Sequence, residues 1–265
     1  MEQLCRKINM PEEVTRKLVE LDSTLEQYPC QELLMQEETW AEGLEQIKAT
    51  LGEDPNGLKR LCCMLRCALK AREEYDRLGI SEEIYVDSMA AFSRFVREHM
   101  ESYGCYGFDR GSWTPRQVSA KLFRIGQLEY EMTTQEGQSV VRQPIPTDVD
   151  LRPEVLVPSI REGLAEFYRL FPDYAGKTIY CHSWLMSPLL KDFLPENSNI
   201  LQFQKLFDME PEGIPGNGVI LWVFKNPKLP KEEYPENTSL QRKLKQFFLD
   251  GGEFLEGKGY LRLPV

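Results

Sequence analysis

Residues 180–207 read YCHSWLMSPLLKDFLPENSNILQFQKLF and hold the densest mixture of polar and aromatic side chains in the chain. The start of this stretch, 177–184, is rich in β-branched and aromatic residues and follows a glycine-containing turn, which predicts a strand. Because side chains alternate along a strand, Tyr180, His182 and Trp184 are expected on one face. A histidine between two aromatic rings forms either a pocket wall or a satisfied core position, and both interpretations stay open.

The composition is that of an acidic globular protein. With 265 residues, 42% hydrophobic and 28% charged, the chain has room for one large or two medium domains. The formal net charge of −10 argues against nucleic-acid binding, because contacts to phosphates require a basic surface. We find no run of about 18 apolar residues and no signal-peptide pattern, so we expect no membrane partner and a cytoplasmic location.

The seven cysteines are an odd number, and none of them is arranged in a paired C-x-x-C pattern. Three of them fall within one helical pattern, at 62, 63 and 67. We therefore expect reduced thiols that act as small core residues, and no bound metal. Two histidines without an H-E-x-x-H motif also argue against zinc-dependent hydrolysis.

The first part of the chain, 1–110, has the periodicity of an antiparallel helical domain. Apolar residues recur at helical spacing in four segments that begin at helix-start signals and are separated by short breaks. The four predicted helices cover 11–28, 31–51, 54–79 and 81–104. Nothing in this domain indicates catalysis, and His99 near the end of the last helix is expected to interact with the helix dipole or with solvent.

The second part, 111–265, alternates strand and helix patterns in the order strand, strand, helix, strand, helix, strand, helix, strand. This order predicts an α+β or mixed α/β domain in which helices flank a mixed sheet. The strands are predicted at 121–132, 138–143, 177–184, 219–224 and 260–265, with 219–224 the most apolar and central. Gly126 is expected to form a bulge or a point of close approach. Helices are predicted from Pro153 or Pro158 to Phe171, with a kink or a late start, and over 238–249.

Several familiar catalytic arrangements are missing. The sequence has no G-x-S-x-G elbow, no G-x-G-x-x-G motif and no phosphate-binding P-loop. Cys181 and His182 are neighbours, but adjacent strand residues point to opposite faces, so they are not expected to form a catalytic pair. His182 is therefore the candidate general base, with Glu129 and Glu131 as alternatives.

Other polar and aromatic residues are candidates for substrate binding. Tyr180 and Trp184 could line an acyl or aromatic slot or pack in the core. Gln202, Gln204 and Asn199 interrupt an apolar run, so they either contact substrate or satisfy loop backbone. Glu129 and its neighbour Glu131 face a cleft or form a solvated strand face.

The block at 181–207, together with Pro144-Ile-Pro146, resembles a bacterial family of acyltransferase-like proteins. That family pairs a helical N-acyltransferase N-terminal domain with a GNAT-like C-terminal domain, and the resemblance covers most of the chain. It implies a GNAT-like mixed sheet and a reaction that moves an acyl group from a CoA-type thioester to an amine, with acyl-CoA as the cofactor. His182 would serve as the base.

The sequence departs from that family's usual pattern at one place. A GNAT protein binds the CoA pyrophosphate with a glycine-rich turn before a helix. The corresponding segment here, 144–153, has no glycine and contains Asp148 and Asp150, which would repel a diphosphate. The alternative is a non-catalytic ligand-binding or interaction protein on the same fold. A hydrolase that uses Cys181 is a third, more distant possibility.

Overall fold

The computed structural model describes residues 1–24 and 30–262. The chain is divided into two compact units, Met1–Ile125 and Gly126–Val265. The domain boundary expected after residue 110 stays a prediction. Among the described residues, no helix is both long enough and apolar enough to cross a lipid bilayer.

The first unit is almost entirely helical. Its elements are α1 (Glu2–Lys7), α2 (Glu12–Thr24), α3 (Cys30–Leu33), α4 (Trp40–Leu51), α5 (Leu58–Arg77), α6 (Glu82–Tyr103), α7 (Pro115–Val118) and β1 (Leu122–Ile125). The boundaries predicted for α6 are confirmed, because the Ser81 hydroxyl accepts the Ile84 N–H at 3.2 Å and Gly104 follows the helix with φ of +71°. Helix α2 matches the predicted helix up to Thr24, and the rest of that prediction, including Leu25, lies outside the described residues.

The prediction of one continuous helix over 31–51 is wrong. The chain turns between α3 and α4 through a short 3-10 segment, Glu37–Thr39, and the Thr39 hydroxyl donates to the Leu33 carbonyl at 2.6 Å. Gly43 lets the two helices approach closely, since a Cβ there would meet Leu33 Cβ and Leu34 Cδ2 at 3.0 Å. Helical periodicity continues across the turn because Leu34, which directly follows α3, and Ile47 of α4 are both buried.

The second unit contains six of the seven strands found in the described residues. Its elements are β2 (Leu128–Gln135), β3 (Gln138–Arg142), α8 (Pro153–Leu170), β4 (Ile179–Ser183), α9 (Leu190–Phe193), α10 (Asn199–Gln204), β5 (Phe207–Met209), β6 (Ile214–Pro215), α11 (Gly218–Val223), α12 (Ser239–Leu249) and β7 (Leu255–Leu261). The strands run in the order β2-β3-β4-β7-β5, and β6 pairs with β7. Only the β3–β4 pair is parallel. The predicted class, a helical region followed by a mixed sheet with flanking helices, is confirmed.

The prediction of a central strand at 219–224 is wrong, because this segment forms helix α11. Its residues are apolar all round because the helix packs into a buried apolar cluster. In this cluster, Val219 and Phe224 lie with Leu244 and Phe248 of helix α12. A short apolar run does not distinguish a buried strand from a buried helix. Asn217, which precedes the helix, and Gly218, its first residue, are the local residues that favour a turn.

An interior position of the sheet, between β4 and β5, is occupied by β7, whose sequence is LEGKGYL. Strand propensity alone disfavours this segment, because it contains two glycines. The glycines are required by packing: a Cβ at Gly257 would lie 1.9 Å from the Met186 carbonyl oxygen, and one at Gly259 would lie 2.9 Å from Met209 Sδ. The strand predicted at 260–265 thus begins earlier than expected, and 263–265 lie outside the described residues.

The single strand predicted over 121–132 is interrupted. Strand β1 ends at Ile125 and β2 begins at Leu128, with Gly126 at φ of +67° between them. Of the two alternatives predicted for Gly126, a bulge or a point of close approach, the structure shows close approach, because a Cβ there would lie 2.4 Å from Ser159 Oγ. The hairpin of β2 and β3 is confirmed.

Two other segments have boundaries that the sequence leaves open. Helix α8 begins at Pro153 and includes Pro158, so a late start at Pro158 is wrong. The apolar run 200–207, for which the sequence predicts no particular element, contains most of helix α10 and the first residue of β5. Proline suits the first position of a helix, because the N–H that it lacks would have no partner within the helix. This favours the start at Pro153 over a start at Pro158.

Candidate active site

The pairing of β4 with β7 brings four polar or aromatic side chains to one face of the sheet. Tyr180 lies opposite Tyr260, and His182 lies opposite Lys258. Residues directly opposite each other in an antiparallel pair share a face, so these four side chains are neighbours. Cys181 belongs to the other face. This arrangement confirms the predicted alternation for Tyr180, Cys181 and His182.

Lys258 holds a positive charge in the middle of this polar face. Its ammonium nitrogen lies 5.1 Å from the centre of the Tyr180 ring, 5.0 Å from that of Tyr260 and 3.6 Å from Glu210 Oε1. The Tyr260 hydroxyl also donates to Glu210 Oε1 at 2.7 Å. Contact with Tyr260, and then with Glu210, raises the pKa of Lys258 above its usual value against the opposing effect of burial. The amine therefore stays protonated at neutral pH.

His182 is only partly buried. About a third of its side chain is accessible (37%), and its Nε2 lies 3.9 Å from Glu256 Oε2. A core histidine that is fully satisfied by its neighbours would be enclosed, so the geometry favours a pocket wall over a core position. Its partner Glu256 is more deeply placed, with 19% of the side chain exposed.

Cys181 is unsuited to nucleophilic chemistry. The residue is fully buried on the face opposite His182, and burial raises the pKa of its thiol to about 12. Thiolate is the reactive form of cysteine, so this thiol is inert at neutral pH. The geometry thus argues against a hydrolase that uses Cys181.

Trp184 is not part of strand β4, so strand alternation does not place it on the face of Tyr180 and His182, and its role in substrate binding stays a prediction. Strand β4 ends at Ser183, and Trp184 begins a 3-10 turn, Trp184–Met186. The Ser183 hydroxyl stops the strand by accepting the Leu185 N–H at 3.2 Å. The indole packs against the apolar cluster around α11 and α12.

The candidate amide residues stabilise the loop that follows β4. The Gln204 side chain donates to the Leu185 carbonyl at 2.8 Å and to the Ser187 carbonyl at 3.0 Å. Gln202 donates to the Glu196 carbonyl at 2.9 Å, and Asn199 is exposed at the start of α10. None of these contacts joins them to His182, so their role as substrate-binding residues stays a prediction.

The two glutamates of β2 do not form a solvated strand face. Glu129 and Glu131 are 2% and 7% exposed. Glu131 lies opposite Arg142, with 3.3 Å between its Oε2 and Arg142 Nη1. Arg142 in turn lies beside Tyr180 in the β3–β4 pair. The polar face therefore continues from β7 across β4 to β2, and the substrate-binding role of Glu129 stays a prediction.

Strand β4 is only half covered along its β3 side. The parallel ladder consists of two pairs and ends where Arg142 meets Tyr180, with a last bond from the Gln143 N–H to the Tyr180 carbonyl at 2.8 Å. Strand β4 runs on to Ser183 and pairs there with β7. The residues after Gln143 include Pro144, which lacks the N–H needed to continue the ladder. The β3–β4 ladder therefore stops before His182, and we call the stretch 181–183 of β4, which has no β3 pair among the described residues, the gap.

The segment before α8 contains an internal charge pair. The Asp150 carboxylate accepts hydrogen bonds from the Arg152 backbone N–H at 3.0 Å and from the Arg152 guanidinium at 2.5 Å. These hydrogen bonds lower the pKa of Asp150 below its usual value. Because Arg152 offsets the Asp150 charge, the repulsion of a diphosphate that the sequence predicts is weaker at this residue.

Sequence reasoning missed two residues of this face, Glu256 and Lys258. Both lie in β7, whose glycines lowered its strand propensity, so the alternation that places them beside His182 was not visible. The glycine-rich segment 213–218 was the available signal, since it packs against Glu256.

Comparison with known proteins identifies the class. Residues 122–261 match the family described as GNAT-like C-terminal domain, and residues 1–120 match the family described as N-acyltransferase N-terminal domain. The chain belongs to this N-acyltransferase family, as the resemblance of 181–207 implied. The GNAT-like fold predicted for the second part is confirmed. Comparison with curated proteins gives no match.

Solved structures of an acyltransferase have the same fold. One is a complex with decanoyl-CoA and teicoplanin, with 21% sequence identity, a TM-score of 0.79, and coverage of 99% of this chain and 87% of that chain. A complex with decanoyl-CoA alone gives 20% identity and a TM-score of 0.80 over the same shares. A variant in complex with octanoyl-CoA gives 21% sequence identity and a TM-score of 0.80, with coverage of 99% of this chain and 87% of that chain. At this level of identity the likeness shows the fold.

Proposed function

We propose that the chain is an N-acyltransferase that moves an acyl group from a CoA-type thioester to an amine acceptor, with His182 as the general base. The observation that carries the proposal is the place of His182, partly exposed on the polar face and next to the gap between β3 and β4. The family supports acyl transfer, and the complexes of the solved acyltransferase with decanoyl-CoA and with teicoplanin support a thioester donor and a small-molecule acceptor. A bacterial cytoplasmic location is part of the same proposal.

The gap offers room for the extended arm of the donor. Backbone groups of 181–183 on the β3 side have no partner in the β3–β4 ladder among the described residues. An extended amide-containing chain could pair with them as an additional strand does. This would bring the thioester carbonyl toward His182.

The imidazole would then act on the acceptor. As the amine nitrogen attacks the thioester carbonyl, His182 accepts the proton that the nitrogen loses. The tetrahedral intermediate collapses by breaking the carbon–sulfur bond, and the protonated imidazole returns the proton to the leaving thiolate. The products are an amide and free CoA thiol, so the histidine is regenerated.

The test is acyl transfer from a series of acyl-CoAs, acetyl to decanoyl, to a panel of primary amines, followed by mass spectrometry of the products. We expect His182→Ala to lower the rate by about 10²- to 10⁴-fold, the usual contribution of general base catalysis. His99→Ala is the matched control, because His99 lies in the other unit, where its Nδ1 bonds to the Cys105 carbonyl at 2.8 Å. If calorimetry detects no binding of any acyl-CoA at millimolar concentration, the proposal is wrong.

A second candidate is a protein of the same fold that binds a ligand without turnover. The observation in its favour is the segment 144–153, which lacks the glycines that bind a pyrophosphate in GNAT proteins. Consumption of a thioester that His182→Ala abolishes would exclude it. Binding of an acyl-CoA with no product from any amine would favour it.

A further inference from the structure

Glu256 is held in one position by the loop beside it. Its Oε1 accepts the Gly218 N–H at 2.7 Å, and its backbone pairs with Ile214 of β6. A Cβ at Gly216 would lie 2.5 Å from Glu256 Cδ, and one at Gly218 would lie 2.5 Å from Glu256 Oε1. The glycines therefore let the loop close around this carboxylate, and the second oxygen, Oε2, is left facing His182.

The histidine presents a buried nitrogen to that oxygen. His182 Nε2 is buried and makes no hydrogen bond to another described residue, and it lies 3.9 Å from Glu256 Oε2. Because Nε2 is buried while 37% of the side chain is exposed, a ring nitrogen that solvent or substrate reaches has to be Nδ1. The two nitrogens of His182 thus have different surroundings, one beside a fixed carboxylate and one accessible.

The carboxylate decides which nitrogen carries the proton of a neutral ring. An N–H on Nε2 is attracted to Oε2, whereas a lone pair there would face the lone pairs of a carboxylate. Lys258, opposite His182 on β7, is a donor only and is engaged with Glu210 and two tyrosine rings. It therefore offers no competing acceptor for an Nε2–H.

We propose that Glu256 is a positioning residue that keeps the His182 proton on Nε2 and directs the lone pair of Nδ1 toward the reacting amine. The inference rests on the proposed function for the identity of the reaction. The position of the proton, however, is a property of the resting protein and is measured without substrate. Failure of the inference and failure of the proposed function are therefore separate results.

The decisive variant is Glu256→Gln, because the Gly218 N–H fixes how a glutamine sits. The Gly218 N–H needs an acceptor and therefore binds the side-chain oxygen of the glutamine. The amide nitrogen of the glutamine then faces His182 Nε2. A donor at this place requires a lone pair on Nε2 and moves the proton to Nδ1. The single change thus reverses the tautomer while the size of the side chain is kept.

The measurement is a long-range ¹H–¹⁵N correlation spectrum of the histidine rings at about pH 9, where an ordinary imidazole is neutral. The chain has two histidines, so assignment needs one variant, His99→Ala. His99 is an internal reference, because its Nδ1 must donate to the Cys105 carbonyl. We expect an Nε2–H tautomer for His182 in the unaltered protein and an Nδ1–H tautomer in Glu256→Gln.

Glu210→Gln is the matched control, since Glu210 lies on the same face but contacts Tyr260 and Lys258 instead of His182. It should leave both tautomers unchanged. An Nδ1–H tautomer for His182 in the unaltered protein would overturn the inference, and this holds even if Glu256→Gln fails to fold. An unchanged tautomer in a folded Glu256→Gln protein, checked by circular dichroism, would also overturn it.

The kinetic consequence distinguishes positioning from substrate binding. With the proton on Nδ1, the accessible nitrogen can no longer accept one, so Glu256→Gln should lower kcat by about 10²-fold, the lower end for general base catalysis. KM for the acyl-CoA should stay within a factor of about three. A rise in KM with unchanged kcat would assign Glu256 to binding and overturn its role in placing the proton.

Discussion

On one face of the β4–β7 pair lie His182 and Lys258, both ionisable and both partly accessible. On the other face lie the buried Cys181 and Gly257, and the Trp184–Met186 turn packs directly on Gly257. The backbone of the two strands is the same for both faces. The two faces differ in what lies against them. The 3-10 turn packs tightly on the face of Gly257, whereas the face of His182 carries charged side chains that contact one another. The first face should therefore govern stability, and the second should govern chemistry.

The sharpest test of this difference is Gly257→Ala. A methyl group there would lie 1.9 Å from a backbone oxygen, Met186 O, which cannot rotate away. We expect a loss of at least about 3 kcal/mol in the free energy of unfolding, because the 3-10 turn has to move off the strand. Denaturant unfolding followed by fluorescence measures it.

Gly259→Ala is the matched control for that experiment. Its Cβ would meet two flexible side-chain ends, Met209 Sδ at 2.9 Å and Met186 Cε at 3.0 Å, and also Phe207 Cβ at 3.0 Å, but no backbone atom is among these nearest contacts. We expect a loss of about 1–2 kcal/mol. Equal losses for the two variants would show that backbone contact with the turn is not what makes this face intolerant.

The second prediction concerns how the free energy of unfolding depends on pH, because Cys181 is buried. Burial raises the pKa of the Cys181 thiol from 9.0 to about 12, so the folded protein retains a proton that the unfolded chain releases above pH 9. The stabilisation is complete below pH 9 and is lost as the pH rises toward 12. The difference in unfolding free energy between the unaltered protein and Cys181→Ala should therefore fall by up to about 1.4 kcal/mol per pH unit above pH 9.

The comparison with Cys181→Ala isolates this one thiol, since every other titrating group is present in both proteins. The measurement is urea unfolding at several pH values between about 8 and 10.5. A difference that stays constant over this range would mean that the Cys181 thiol ionises as readily in the folded protein as in the unfolded chain.

The third prediction tests the support of the turn that covers Gly257. The Gln204 amide binds the carbonyls on either side of Met186, those of Leu185 and Ser187. Gln204→Ala should cost about 1–2 kcal/mol, because two half-buried carbonyls lose their donor. Gln202→Ala removes two bonds, both in exposed places, and should cost less than about 0.5 kcal/mol. A larger loss for Gln202→Ala would contradict the structural role of Gln204.

Much of the fold follows from local signals in the sequence. The ends of α6 are marked by Ser81 and Gly104, and the capping box of α12, Thr238 with Gln241, marks its start. The hairpin of β2 and β3 follows from Gly137, which adopts φ of +77° in the turn. In each case the residues that fix the backbone lie within a few positions of the boundary, so the sequence alone predicts it.

The errors occur where distant residues decide the local structure. Residues 219–224 have the composition of a buried strand but form a helix, because the apolar cluster around Phe248 covers them. Strand β7 has the composition of a loop but lies inside the sheet, between β4 and β5, because Gly257 fits under the Met186 carbonyl. His182 was identified as a candidate, whereas Glu256 was missed for the same reason that β7 was missed.

The smallest expected effect belongs to the polar face. Tyr260→Phe removes the hydroxyl that donates to Glu210 at 2.7 Å but keeps the ring that lies 5.0 Å from Lys258 Nζ. The pair is accessible to water, which can replace the lost donor, so we expect a loss of about 0.5–1 kcal/mol in the free energy of unfolding. Denaturant unfolding beside Gly257→Ala gives the comparison directly. A loss near that of Gly257→Ala would mean that both faces are packed to the same density and that their division into a stabilising face and a chemical face is wrong.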